Sequence, residues 1–159
     1  SSLGEMIQSL GTRKINKEKT VLELLMKAIK NAGYEPGKDI SLSLDVAASS
    51  VYKDGKYYLG GQQYTSDDLI LFYQKLIKTF PIVSIEDGLA EDDWSGWKKL
   101  QKEMGSKITL IGDDIFVTNT SLIKKGIDEK AANAVLIKPN QIGTLTSTME
   151  AIDMARKNN

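Results

Sequence analysis

Neither cysteine nor histidine occurs anywhere in the 159 residues. The first absence excludes disulfides and thiolate metal sites. The second excludes Ser-His-Asp and Cys-His catalysis and the usual zinc site. Acid–base chemistry therefore falls to carboxylates, lysines and tyrosines. An excess of charge is missing too: 21 basic residues face 21 acidic ones, a formal net charge of zero. That balance gives no general attraction to nucleic acid or to an anionic membrane. No apolar run approaches the length of a membrane span, and the N-terminus lacks a signal-peptide core. A cytoplasmic location is the expectation. Low-complexity segments and internal repeats are also absent. What is there, a chain of this length that is 41% hydrophobic, suits one domain with one substantial core.

Elements alternate along the chain. Val21, Leu22, Leu24, Leu25, Ala28 and Ile29 fall on one helical face, and Gly33 stands where a C-terminal cap belongs. Residues 40–46 read as a strand. Residues 50–59 read as a hairpin turning at Asp54-Gly55, a type I′ signal. Thr65 or Ser66 caps a helix whose face is Leu69, Ile70, Phe72, Tyr73, Leu76, Ile77 and Phe80, ended by Pro81. Residues 82–86 are a short strand. Asp92 and Asp93 open a helix burying Trp94, Trp97, Leu100 and Met104, and Gly105 ends it. A strand at 108–112, a helix from Asn119 or Thr120, a strand at 134–137 and a helix at 145–157 complete the series. The opening stretch, 2–10, reads as the end of one more helix. Alternation at this spacing predicts a parallel sheet with crossover helices, and the apolar strands predict burial on both faces. A barrel and an open sheet both fit. Four strands do not close a barrel, which normally takes eight.

Each main strand runs into a polar residue: Asp45, Glu86, Asp113 followed by Asp114, and Lys138. Parallel strands bring those ends to one rim, where α/β folds bind ligands. Three carboxylates gathered there repel one another unless a divalent cation lies among them. With no histidine or cysteine, the donors are all oxygen, which suits Mg2+, with Mn2+ as a substitute. Taken singly, an acid after a strand is more often a helix cap or a solvated loop residue, and a strand-end lysine is usually solvated or paired. Asp87 and Asp114, each beside a candidate ligand, leave the register open.

From Thr20 onward the chain carries the blocks Leu44-Asp-Val-Ala-Ala-Ser, Asp54-Gly-Lys-Tyr, Pro81-Ile-Val-Ser-Ile-Glu-Asp-Gly-Leu, Asp92-Asp-Trp, Gly112-Asp-Asp-Ile-Phe-Val-Thr-Asn-Thr and Leu136-Ile-Lys-Pro-Asn-Gln-Ile-Gly-Thr-Leu-Thr. In these blocks, their order and their spacing, it closely resembles enolase. It implies part of an α/β (βα)8 barrel of the TIM type, with about four parallel strands, crossover helices and a small hairpin. Residues 1–159 are expected to form a single incomplete barrel domain, divergent over 1–19 and enolase-like over 20–159. The resemblance also implies that Asp45, Glu86 and Asp113 hold Mg2+ and that Lys138 is the base. The reaction it implies is dehydration of 2-phosphoglycerate to phosphoenolpyruvate.

Other parts of the family pattern have no counterpart. Between Gly11 and Thr20 the family's Gly-Asp-Glu-Gly-Gly segment, which supplies an acid, is replaced by Thr-Arg-Lys-Ile-Asn-Lys-Glu-Lys. The N-terminal domain with its lid, the His-Arg-Ser-Gly segment, the second lysine and the last barrel strand are not found. The expectation is a lyase-derived chain that is inactive alone, and that self-associates, as a homodimer, through open sheet edges. The competing expectation is a non-catalytic binding or structural module that keeps the barrel segment by descent.

Overall fold

Caps and apolar spacing place most elements where the sequence puts them. The structure, a computed structural model, describes residues 16–158. The stretch 2–10 therefore lies outside the described residues. Helix α1 (Asn16–Asn31) leads to strand β1 (Leu42–Asp45) and one 3-10 turn (Ala48–Val51). Strands β2 (Tyr52–Lys53), β3 (Lys56–Leu59) and β4 (Gln62–Tyr64) form a small antiparallel sheet. Then come α2 (Ser66–Thr79), β5 (Ile82–Glu86), α3 (Trp94–Met104), β6 (Thr109–Gly112) and α4 (Thr120–Glu129). Strand β7 (Ala134–Val135), the short α5 (Pro139–Ile142) and α6 (Leu145–Lys157) complete the series.

The main sheet has the order β1-β5-β6-β7, and every pairing in it is parallel. Leu44, Ile85 and Leu110 lie side by side in register. All three are buried, in one core with Tyr73, Trp97, Leu100 and Met104. Asp54 and Gly55 take positive φ, 50° and 76°, as a type I′ turn requires. Thr65 closes a capping box with Asp68, Asp93 caps α3 and Asn119 caps α4.

Six expectations are corrected. The strand read over 134–137 pairs only through Ala134 and Val135. The hairpin gains a third strand, β4, and α5 was not anticipated. The main sheet is not apolar on both sides: opposite the core, β1 and β5 present Ser43 and Ser84, whose hydroxyls are hydrogen-bonded at 2.6 Å, and Asp45 beside Glu86. A strand with one polar face alternates, and β1 does so. On α1, Leu22 is buried and Met26 and Ile29 pack against the core, but Leu24 and Leu25 are 60% and 45% exposed. Six apolar positions exceed the width of one contact stripe, so the excess faces outward. Trp94 is only partly buried, with the Lys125 ammonium 3.7 Å from its ring centroid.

Candidate metal centre

The parallel register delivers the predicted residues to one rim. Asp45 and Glu86 are direct neighbours at the ends of β1 and β5. Asp113 follows β6 and is buried. Lys138 stands three residues past β7, and its ammonium is paired with Asp113 Oδ2. Gln141, on α5, donates from Nε2 to the other oxygen, Asp113 Oδ1, at 3.3 Å.

Glu86 carries the electrostatic signature of the group. Partial burial pushes its carboxyl above the ordinary range, and the charges of Asp45 and Asp113 push it further, against the pull of Lys138. Lys138 shifts upward as well, chiefly through its hydrogen bond to Asp113 and then through the surrounding acids. Four expected site residues are therefore coupled, and one pair is in contact.

Among the described residues, the tightest set of carboxylates differs from the expected one. Oxygens of Asp87, Asp113 and Asp114 lie within 4.8 Å of one another. Asp87 has another duty, however. It is buried, with φ 43°, and its two oxygens accept the backbone N–H groups of Asp113 at 3.0 Å and Asp114 at 3.1 Å. Desolvation raises its carboxyl to about 7, although those two bonds favour the charged form. With both oxygens committed to the backbone, Asp87 orients the Asp113 loop and is poorly placed to ligate.

A second network fixes the loop that follows Glu86. The Tyr57 hydroxyl, from β3, donates to Asp93 at 2.8 Å and accepts the Ala90 N–H at 3.0 Å. Burial raises the Tyr57 phenol well above its ordinary range, which keeps that proton available to donate. Asp93 also takes the Gly96 N–H and the Ser66 hydroxyl. Trp97 Nε1 donates to the Ala90 carbonyl at 3.1 Å. The small sheet and the helical layer thus clamp residues 87–93 from two sides.

Sequence reasoning treated Asp87 only as a neighbour of Glu86 and did not single out Thr118 or Gln141. All three sit inside the matched blocks, which is the signal that marks them. A cavity of about 720 Å3 lies elsewhere. It is lined by residues such as Ile127, Ala132, Ala134 and Asn158, at the start of β7 and the ends of α4 and α6, and by none of the site residues.

Parallel strands, crossover helices and polar residues collected at the carboxyl rim define part of a TIM-type barrel domain. The sequence matches the family described as enolase, C-terminal TIM barrel domain, over residues 11–159, and the chain belongs to that family. The match takes in residues 11–19, which the block-by-block resemblance leaves out.

Proposed function

We propose that this chain carries the metal-binding and base-bearing part of an enolase-type lyase that dehydrates 2-phosphoglycerate to phosphoenolpyruvate in glycolysis. The observation that carries the reading is the coupling of Asp45, Glu86, Asp113 and Lys138 at one rim. The donor set fits a hard divalent cation: every candidate ligand is a carboxylate oxygen, and burial, followed by the charges of Asp45 and Asp113, raises Glu86. Asp45, Glu86 and Asp113 would hold Mg2+, with Asp87 steering the Asp113 backbone.

Removing a proton beside a carboxylate builds a second negative charge on the substrate. Mg2+, when bound, supplies positive charge to offset it. Lys138 is the group that takes the proton. Paired with Asp113, it is held protonated. It releases its proton more readily once the carboxylates around it are neutralised. Dehydration also needs a proton donor for the departing hydroxyl, and we assign that role to none of the described residues.

Two outcomes follow for the 159-residue polypeptide assayed by itself. Calorimetry is expected to show 2-phosphoglycerate binding that depends on Mg2+. Phosphoenolpyruvate absorbance is expected to show no turnover, because positioning and water exclusion supply much of a lyase's rate. Ligand binding that ignores Mg2+ would contradict the site, and turnover at an ordinary enolase rate would contradict the inactivity.

The same reading treats the chain as one domain in a cytoplasmic setting. Among the described residues, no helix is long and apolar enough to cross a membrane. The outer strands of the described sheet are β1 and β7. Pairing through them would give a homodimer, and a clean monomer in sedimentation would count against it.

A further inference from the structure

The sheet stops short of the residue on which the chemistry depends. The ladder between β6 and β7 covers Ala134 and Val135, and the last bond to the sheet runs from the Leu136 N–H to the Gly112 carbonyl at 3.0 Å. Lys138 lies beyond that point. Next comes Pro139, which has no N–H to donate and begins the short α5. A lysine side chain is long and flexible, so a fixed backbone narrows where the amine reaches.

One side chain takes over from the sheet. The Lys138 N–H donates to Thr118 Oγ1 at 2.8 Å. The same hydroxyl faces Gln141 Oε1 at 3.4 Å, Gln141 Nε2 donates to Asp113 Oδ1 at 3.3 Å, and Lys138 Nζ returns to Asp113 Oδ2. The four residues close a ring. Thr118 is fully buried. Val117 and Thr118 both hold positive φ, 41° and 58°, a region β-branched residues rarely enter. Helix α4 does not require this, because Asn119 supplies its cap. Strain that a helix start does not use, ending in a hydroxyl aimed at Lys138, marks a functional constraint.

We infer that Thr118 is a positioning residue for Lys138, its hydroxyl replacing the missing strand pairing and setting where the amine meets Asp113. This deepens the proposed function and rests on Lys138 being the base.

The test compares Thr118→Val, which keeps shape and loses the hydroxyl, with Thr118→Ser, which keeps the hydroxyl. Amide hydrogen exchange is read by NMR on the labelled 159-residue chain. In Thr118→Val the Lys138 amide is expected to exchange about tenfold faster. Leu136, bonded to Gly112, serves as the internal standard and stays within about twofold. In Thr118→Ser the Lys138 rate returns to the wild-type value. The Lys138 Nζ resonance follows the same order, shifting in Thr118→Val and recovering in Thr118→Ser. An unchanged Lys138 amide in Thr118→Val overturns the inference. So does equal loss of protection at Leu136 and Lys138 in both variants, which would mark Thr118 as packing alone. A parallel Mg2+ titration of the wild type tests the metal-and-base reading separately: absence of binding speaks against that reading, while the exchange contrast still decides what Thr118 does.

Discussion

Trp97→Ala is expected to lower stability by about 3–5 kcal/mol, the usual cost of emptying a buried aromatic site. Trp97 is fully buried. It contributes more than volume, because its Nε1 holds the Ala90 carbonyl. Truncation would remove that bond, worth about 0.5–1.5 kcal/mol, while the Ala90 carbonyl keeps the Asp93 N–H at 3.0 Å. A domain of this size has roughly 5–15 kcal/mol in total, so the variant should be near its folding limit. Urea denaturation followed by far-UV circular dichroism reads the effect. Leu24→Ala, at an exposed position, is the control and should stay within about 0.5 kcal/mol. A Trp97→Ala loss below about 1 kcal/mol, less than the roughly 3 expected at minimum, would show that residue 97 is not packed as described. The consequence reaches the site, since Ala90 belongs to the loop that leaves Glu86.

Glu86→Gln is expected to weaken Mg2+ binding by roughly 100-fold or more, since groups that merely orient a ligand are already worth about 10–100-fold. Glu86 sits between Asp45 and Asp113 electrostatically. Its loss removes a charge from the middle of the set. Asp87→Asn is expected to fall within about 10–100-fold, because Asp87 acts through the Asp113 and Asp114 amides. Asp114→Asn separates the two possible ligand sets. If Asp114→Asn abolishes binding while Glu86→Gln leaves it intact, the cation belongs to the Asp87, Asp113 and Asp114 cluster and the assignment fails. Affinity should also rise with pH. Burial holds Glu86 above its ordinary range and Asp87 at about 7, so protons compete for these carboxylates at lower pH and leave them as pH rises through that range. Calorimetric titrations at several pH values read this, and an affinity independent of pH below about 7 would contradict it.

Much of this was legible in the chain because local chemistry carries it. Helix starts declared themselves to within one residue, and the caps fall on Thr65, Asp93 and Asn119, where a side-chain oxygen meets free backbone N–H groups. The Asp54-Gly55 turn did the same through its φ preference. The strand-end residues were visible because a short apolar run, cut by a polar residue, is a one-dimensional signal. Long-range partnerships left no such trace. Tyr57 reads as an ordinary hairpin residue, yet its hydroxyl binds Asp93, 36 residues away. Thr118 carries no local signal of its own, yet it holds the backbone of Lys138, 20 residues on. Six apolar positions on α1 read as one buried face, but how many are covered depends on what packs there.

By itself, then, the sequence determined the alternation of strands and helices, the absence of thiol and imidazole chemistry, and the identity of Asp45, Glu86, Asp113 and Lys138 as the residues to watch. The alternation, the absences and the polar strand ends follow from residue type and spacing, which act over a few neighbours; the choice of Asp45, Glu86, Asp113 and Lys138 over Asp87 and Asp114 follows from the resemblance to enolase. Only the tertiary structure decided that Asp113 and Lys138 are in contact, that Asp87 is tied to the backbone instead of facing a ligand, and that a threonine finishes what β7 leaves unpaired. Register between distant strands sets those relations, and it is fixed by burial of Leu44, Ile85 and Leu110 in one row. A shift of one residue would turn that row, and the acids with it, to the opposite face.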